Sequence, residues 1–290
     1  MNTTLRSNTA EAEISTLGAE LVSFRRTDTD TQYMWSGDAA YWTGRSPVLF
    51  PIIGAARGGE IRVDGKSYKI GNHGFARRSE FTLAEASDSR AVFRLTCSDT
   101  TLASYPFKFN LVLTYTLNGN TLEIGYQVEN TDDREIFFQL GTHPAFNCPI
   151  DGGAFSDYEL EFAEEETLER LFLNDDGLVI AGKSTTVLQE GRILPLSHEM
   201  FLEGALVFRN VNSRRVTLRS SASDKSVAVS FNNFPDLGIW QPKNAPFVCI
   251  EPWHGIADGA AFEGELRDKE AVITLAPEAQ FNSSLIIEFK

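Results

Sequence analysis

The sequence predicts an all-β fold of large, mainly antiparallel sheets. Its dominant hydrophobic period is two, most clearly in Phe107–Leu117, where apolar residues alternate with mostly polar ones as in a strand with one buried face. Asn118-Gly119 follows, a dipeptide that favours a tight hairpin because both positions tolerate positive φ. No segment has the pattern of a long amphipathic helix. Many strands with almost no helix are typical of a large sandwich or barrel.

The same alternation predicts the other strands in chain order. Glu60–Val63 and Ser67–Ile70 flank Asp64-Gly65, a second hairpin signal. Thr121–Glu129 returns as a strand after the first hairpin. Further short strands are predicted at Ala12–Thr16, Glu80–Ala84, Ala91–Thr96, Ile136–Gln139, Ala205–Arg209, Arg215–Arg219, Ser226–Phe231, Phe247–Ile250, Ala271–Leu275 and Ser284–Phe289.

Three segments are predicted to lie outside the strands. Asp38–Trp42 and Asp258–Ala261 favour short helical turns. Glu164–Arg192 is acidic and then polar and glycine-bearing, so it is expected to run over the surface. It is not a clear domain boundary, and the chain contains no repeat or low-complexity linker. Because all-β folds of this length commonly form one domain, residues 1–290 are predicted to be a single domain.

Composition and charge exclude several classes of protein. The chain has 290 residues, of which 42% are hydrophobic, as in ordinary globular proteins. The 26 Lys and Arg residues against 40 Asp and Glu residues give a formal net charge of −14. Since nucleic acids and anionic membranes require a basic surface, neither is expected as a partner. The expected partner is a small molecule, and the chain is expected to act as a monomer or homodimer.

The cysteines and the first residues favour a cytoplasmic location. Cys97, Cys148 and Cys249 are odd in number and widely spaced, which indicates reduced thiols and not a disulfide framework. Residues 1–6 lack a basic region followed by an apolar run, so no secretory signal is predicted. No stretch approaches the roughly 18 consecutive apolar residues of a membrane-spanning helix.

Sequence motifs for metals, phosphates and serine nucleophiles are missing. The four histidines have neither the i, i+4 spacing of a zinc helix nor a cysteine cluster beside them. The chain also lacks the glycine-rich loops of nucleotide-binding proteins and the G-x-S-x-G elbow of serine hydrolases. We therefore expect neither a metal site nor a cofactor.

Three polar residues sit in sequence surroundings that suit a ligand site. His73 lies between turn-forming glycines, where a loop can present an imidazole. His143 follows an apolar run and precedes Pro144, which favours an extended backbone and ends the strand ladder. Glu251 ends the apolar strand Phe247–Ile250 before Pro252-Trp253. Each residue alone is more often a structural or surface residue than a functional one, so only their combination indicates a function.

That combination resembles the aldose 1-epimerase (galactose mutarotase) family, and in particular its LacX-like branch. The resemblance runs from about residue 10 to the C-terminus and rests on motifs that occur in the family's order. The motifs are Ser15–Leu21, Trp35, Tyr41-Trp42, Ser46–Gly54, His73-Gly74-Phe75-Ala76-Arg77, Thr142-His143-Pro144-Ala145-Phe146-Asn147 and Glu251-Pro252-Trp253-His254-Gly255-Ile256-Ala257-Asp258. The family implies a galactose-mutarotase-like β-supersandwich with a shallow, open sugar site on one sheet face.

The resemblance also implies an activity and the residues that perform it. The family interconverts the α and β anomers of an aldohexose without a cofactor, which makes its members isomerases. Glu251 matches the family's general base, and His143 matches its general acid. His73 matches a second histidine that binds the sugar near the ring oxygen. A carboxylate and an imidazolium, with free pKa values of about 4.3 and 6.5, form a reasonable base and acid near neutral pH.

The remaining substrate-binding candidates are two arginines and two tryptophans. Arg57 is a candidate because the family commonly has an Arg directly after the glycine that is Gly54 here, and this sequence has Ala55 there instead. Arg77 belongs to the His73 motif, and Trp240 and Trp253 suit the apolar face of a pyranose. The replacement of the family's arginine by Ala55 bears on which sugar is the substrate more than on the reaction. The sequence does not identify the acidic residue that holds the distal sugar hydroxyls.

Two alternative functions stay open on the same fold. A hexose-6-phosphate 1-epimerase also carries the His-Gly-Phe-Ala-Arg motif, and Arg57, Arg77 and Arg78 could bind its phosphate through charge-assisted contacts. A catalytically silent carbohydrate-binding protein is the other alternative, because a fold does not determine a function. The presence of both His143 and Glu251 weighs against a catalytically silent protein, since a protein that only binds a sugar does not need an acid and a base.

Overall fold

The computed structural model of the protein describes residues 1–290. Strands make up 53% of the residues and helices 7%, which confirms the all-β class. The strands are β1 (Asn2–Arg6), β2 (Ala10–Ser15), β3 (Leu21–Arg26), β4 (Thr31–Gln32), β5 (Val48–Leu49), β6 (Glu60–Val63), β7 (Lys66–Lys69), β8 (Thr82–Ala86), β9 (Arg90–Thr96), β10 (Phe109–Asn118), β11 (Thr121–Asn130), β12 (Ile136–Phe138), β13 (Leu140–Thr142), β14 (Ala145–Asn147), β15 (Tyr158–Leu173), β16 (Val179–Pro195), β17 (Leu206–Phe208), β18 (Arg215–Ser220), β19 (Ser223–Asn232), β20 (Asp236–Trp240), β21 (Phe247–His254), β22 (Ile273–Leu275) and β23 (Gln280–Phe289).

The helices are short. The only α-helix is α1 (Asp99–Leu102), and its N-terminus is capped by Ser98. The 3₁₀ turns are Arg57–Gly59, Ala76–Arg78, Phe155–Asp157, His198–Phe201 and Leu266–Asp268. No helix has the length and apolar character needed to cross a membrane.

One large antiparallel sheet of 15 strands dominates the molecule. Its main path runs β5-β13-β21-β20-β17-β15-β18-β19-β23-β11-β10-β9-β8, with β14 added beside β21 and β16 beside β15. The first four strands form a separate sheet, and β6–β7 and β12–β22 form two-stranded ribbons. The core is a cluster of 64 buried residues to which most of these strands contribute an alternating face.

The predicted hairpin at Asn118-Gly119 is confirmed. It joins β10 to β11, with Asn118 paired to Thr121 and the ladder continuing to Phe109 opposite Asn130. Inward-facing residues of β10, among them Leu111, are fully buried, as the alternation predicts.

The predictions for the non-strand segments are confirmed only in part. Glu164–Arg192 forms most of β15 and β16, the two longest strands, which pair with several register shifts. β16 is largely exposed, as expected of a surface segment, but the strands were not predicted because their polar residues leave only a weak period-two contrast. Asp38–Trp42 forms a single turn in which the Tyr41 and Trp42 N–H groups donate to the Asp38 carbonyl, whereas Asp258–Ala261 is a turn beside a single β-bridge and is not helical.

Candidate active site

The pairing of β21 brings Glu251 and His143 together. This strand pairs with β20 on one side and with both β13 and β14 on the other. Gly141, two positions before His143, pairs with Trp253, two positions after Glu251. Ala145, two positions after His143, pairs with Cys249, two positions before Glu251. His143 therefore faces Glu251 across the gap between β13 and β14, although 107 positions separate them in the chain.

Pro144 accounts for the gap. It has no backbone N–H, so the ladder is interrupted there, and its carbonyl instead accepts a hydrogen bond of 3.1 Å from the Ile250 N–H. The strand thus resumes in the same register after presenting the His143 side chain at the edge of a cavity.

The two side chains are close, and both are buried. The Nε2 atom of His143 lies 3.1 Å from Oε2 of Glu251, with the residues 7% and 1% exposed. Apart from this contact, neither Oε2 of Glu251 nor Nδ1 of His143 has a hydrogen-bond partner in the protein. Buried polar atoms normally have partners, so these free atoms indicate a site that a ligand completes.

Burial opposes charge on both groups. It raises the pKa of Glu251 well above its ordinary value, although the Arg77 guanidinium acts in the opposite direction. Burial also lowers the pKa of His143 well below its ordinary value, and the neighbouring His73 adds to this effect. Burial therefore favours a carboxylic acid and a neutral imidazole over a carboxylate and an imidazolium.

His73 is held in one tautomer by the backbone. Its own N–H donates to the Gly54 carbonyl at 2.9 Å, and its Nδ1 accepts from the Gly54 N–H at 3.0 Å. Because Nδ1 is an acceptor, Nε2 carries the ring proton. Burial, reinforced by Arg77, lowers the pKa of His73 to about 3, so the ring is neutral near pH 7. It is therefore a hydrogen-bond donor whose orientation does not depend on a ligand.

Aromatic rings enclose the histidines. Trp240 lies edge-on to His143 with ring centroids 5.5 Å apart, and Trp253 lies 6.4 Å from His73. Gly141 and Gly238 flank Trp253 on the two neighbouring strands, and a Cβ atom at either glycine would lie within 2.7 Å of the indole. The two glycines thus leave room for the Trp253 indole against the sheet.

The cavity formed by these groups has a volume of about 410 Å³, within the usual range of roughly 300–1,000 Å³ for small-molecule sites. It brings together six of the seven residues that the sequence indicated: Glu251, His143, His73, Arg77, Trp240 and Trp253. Arg77 forms no salt bridge with any carboxylate of the chain, and burial lowers the pKa of its guanidinium. The cavity therefore contains a cation that is available to a ligand.

Arg57 is the exception, and its assignment to the sugar site is corrected here. It lines a separate, more polar groove of about 800 Å³. Its Nη1 atom donates to the Phe262 carbonyl at 3.2 Å and to Glu263 at 2.9 Å. Because Arg57 does not line the cavity that contains Glu251, it does not replace the arginine that the family has after Gly54.

Two residues near the acid and base were not among the sequence candidates. Trp42 lines the cavity, and its ring lies 4.8 Å from that of His143 at an angle of 30°. Cys249 places its sulfur within 4.8 Å of ligand atoms of His143 and Glu251. The Tyr41-Trp42 motif was a signal for the first. The i, i+2 spacing of Cys249 and Glu251 on a strand was a signal for the second.

Known proteins similar to this chain share its sequence and fold over almost their whole length. The family model for aldose 1-epimerase matches residues 1–274. The chromosomal protein LacX of Lactococcus lactis subsp. lactis is 34% identical over 287 residues, which cover 96% of this chain and 95% of LacX.

Solved structures of similar proteins have the same fold as this chain. A galactose mutarotase related enzyme from Lactobacillus acidophilus is 32% identical, has a TM-score of 0.95, and aligns over 100% of this chain and 97% of its own. A galactose mutarotase-like protein from Lactobacillus casei is also 32% identical, with a TM-score of 0.94 and full coverage of both chains. These matches confirm the galactose mutarotase-like fold and the LacX-like resemblance. The chain therefore belongs to the aldose 1-epimerase family.

Proposed function

We propose that the protein interconverts the α and β anomers of an aldohexose, with Glu251 as general base and His143 as general acid. The observation that carries this proposal is the approach of Oε2 of Glu251 to Nε2 of His143, 3.1 Å apart at the wall of a ligand-sized cavity. The reaction moves only protons and breaks one C–O bond, so it requires no redox cofactor.

The closeness of the two groups suits the chemistry of a hemiacetal. Mutarotation removes a proton from the C1 hydroxyl and delivers one to the ring oxygen O5. Both oxygens are bonded to C1, so the base and the acid must be neighbours. A cross-strand pair provides that arrangement, and it holds both groups before the sugar arrives, which lowers the entropic cost of reaching the transition state.

The proposed mechanism needs one mobile proton on the pair. That proton passes from Glu251 to His143 across their 3.1 Å contact, so that Glu251 reacts as a carboxylate and His143 as an imidazolium. Glu251 takes the C1 hydroxyl proton while His143 protonates O5, and the C1–O5 bond breaks to give the open-chain aldehyde. The pair is now a carboxylic acid and a neutral imidazole, the forms that burial favours. Rotation about C1–C2 and the reverse proton transfers close the ring as the other anomer.

The other cavity residues support binding of a free sugar. The neutral His73 offers a fixed N–H donor, which suits the ring oxygen or an adjacent hydroxyl. Trp240 and Trp253 offer flat apolar faces to the C–H side of a pyranose. Arg77 has no carboxylate partner and can donate to sugar hydroxyls or stabilise the Glu251 carboxylate, whose pKa it lowers.

The arrangement of the arginines favours a free hexose over a hexose 6-phosphate. Of the three arginines in the alternative hypothesis, only Arg77 lines the cavity. Arg57 is paired with Glu263, and Arg78 is exposed and does not line the cavity. One guanidinium beside a buried carboxylate is a weaker phosphate site than the cluster on which that hypothesis depends.

The first test removes the acid or the base. We expect Glu251→Gln and His143→Asn each to lower the rate of mutarotation by at least about 10²-fold, because positioned proton transfer contributes roughly 10²–10⁴-fold. The rate is measured by polarimetry on freshly dissolved α-glucose and α-galactose, and circular dichroism checks the fold. A near wild-type rate in either variant would remove that residue from its role.

A substrate panel separates the three candidate functions. NMR saturation exchange on glucose, galactose and glucose 6-phosphate should show acceleration of at least one free hexose. Acceleration of the phosphorylated sugar alone would identify a hexose-6-phosphate epimerase. Sugar binding without acceleration of any substrate would identify a silent binding protein.

A further inference from the structure

We propose that the acid/base pair, together with Cys249, forms a binding site for a thiophilic divalent cation such as Zn²⁺ or Cd²⁺, and that the bound cation blocks the site. The ligands are the Cys249 sulfur, a carboxylate oxygen of Glu251 and a ring nitrogen of His143. The metal-binding part of this proposal is independent of the proposed epimerase activity, whereas the blocking part depends on it.

The fold places the three ligands on one side of the sheet. Cys249 and Glu251 are two positions apart on β21, so their side chains project from the same face. His143 lies opposite Glu251 across the gap between β13 and β14. The three ligand atoms lie within 4.8 Å of one another, and all three residues are buried.

This donor set matches a zinc-type site. Sulfur, imidazole nitrogen and carboxylate oxygen bind Zn²⁺ tetrahedrally at about 2.0–2.3 Å, which places neighbouring ligands about 3.6 Å apart. The His143–Glu251 distance of 3.1 Å is already close to that value, so mainly Cys249 must approach. Three protein ligands leave a fourth position for water from the adjoining cavity.

The free polar atoms point to a ligand independently of the cysteine. Apart from the 3.1 Å contact with Nε2 of His143, Oε2 of Glu251 is buried without a hydrogen-bond partner, as is Nδ1 of His143. A cation between the carboxylate and the imidazole would supply a partner for the carboxylate. On binding, the Cys249 thiol and the acid/base pair each release a proton to solvent, and the resulting thiolate and carboxylate balance the two positive charges of the metal.

Cadmium binding tests the site directly, because a Cd–thiolate bond absorbs in the near ultraviolet. We expect metal-free wild-type protein to bind one Cd²⁺ with this absorbance. Cys249→Ala should lose the band and bind at least about 10-fold more weakly. Cys97→Ala is the matched control, since Cys97 does not belong to the cluster of His143, Cys249 and Glu251, and it should keep the band. Cys249→Ser serves as a second variant of nearly unchanged size.

The result overturns the proposal if wild-type protein shows no band, or if the band survives in folded Cys249→Ala and Cys249→Ser. Loss of the band in Cys97→Ala alone would assign the metal to another thiol and would also overturn it.

Inhibition by zinc tests the blocking part. We expect saturating Zn²⁺ to lower the mutarotation rate of the wild type at least about 10-fold and EDTA to restore it. Cys249→Ala, compared with its own metal-free rate, should be inhibited only at much higher Zn²⁺. Cadmium binding with full activity would overturn the blocking part. Lack of activity in the metal-free wild type would instead contradict the proposed function and leave the cadmium result standing.

Discussion

His73 shows how a single residue can be prepared for binding by its backbone. Its φ of 61° lies in the left-handed region, where few residues other than glycine are found. This conformation lets the residue exchange two hydrogen bonds with Gly54, one through the backbone and one through the ring. The cost of the conformation is offset by these two hydrogen bonds, which hold the ring in a fixed orientation.

The pKa of His73 predicts how stability depends on pH. Its value of about 3 lies below the value of about 6.5 in an unfolded chain. Between these values the unfolded state binds more protons than the native state, so stability falls as pH falls below about 6.5. We expect His73→Gln to lose about 2 kcal/mol less stability than the wild type between pH 7 and pH 5.

Urea denaturation at the two pH values measures this difference. His198→Gln is the control, because His198 lies outside the cavity and bonds to Gln241. Parallel pH dependence in His73→Gln and wild type would contradict the assignment of a neutral His73.

At the level of elements, β21 organises the site through the strands on both sides. It provides Glu251 and Trp253, while β13, β14 and β20 provide the surface against which these side chains lie. Gly238 on β20 pairs with Glu251 and has no side chain to compete with the Trp253 indole. A Cβ atom there would lie 2.6 Å from the ring. Small residues in these neighbours are therefore part of the binding surface.

Substitution of this glycine tests that role. We expect Gly238→Ala to displace Trp253, to destabilise the protein by about 1–3 kcal/mol through overpacking, and to lower the mutarotation rate. Gly125→Ala on β11 is the control, because its Cβ would lie 3.8 Å from Thr114, an ordinary contact. Thermal unfolding and polarimetry measure both variants. A Gly238→Ala variant that behaves like Gly125→Ala would show that the indole has room to move.

At the level of the whole molecule, a buried ion pair joins distant parts of the chain near the site. The Lys269 ammonium bonds to the Asp258 carboxylate, and both residues are almost fully buried. The other oxygen of Asp258 accepts the Arg57 N–H at 2.8 Å. This network holds the segment that leads from Gly54 to Arg57 against the C-terminal part of the chain.

Breaking this pair should destabilise the entire fold. We expect Lys269→Met to cost about 3–5 kcal/mol, because it leaves the Asp258 charge buried and uncompensated. Adding Asp258→Asn should recover part of the loss. Arg25→Ala is the control, since it removes an exposed ion pair with Asp30 worth at most about 1 kcal/mol. Urea denaturation measures the free energy of unfolding of the three variants. Equal losses in Lys269→Met and Arg25→Ala would contradict the role of the buried Lys269–Asp258 pair in stability.

Several predictions from sequence stay predictions at this scale. The single domain, the cytoplasmic location, the lack of a resident cofactor and the state as monomer or homodimer all depend on measurements of the protein in solution and in the cell. The roles of the site residues depend on the variants proposed above.

The all-β class and the family could be predicted from the order of the residues alone. Alternation of apolar residues is a local property, so strands such as β9, β10 and β23 were predictable, whereas the polar β15 and β16 were not. Motifs were sufficient for the family because several short patterns occur in one order. The folded structure was needed to show that His143 faces Glu251, that Cys249 lies beside them and that Arg57 does not. The physical reason is that the partner and register of a strand are set by the packing of the whole sheet, which no local pattern contains.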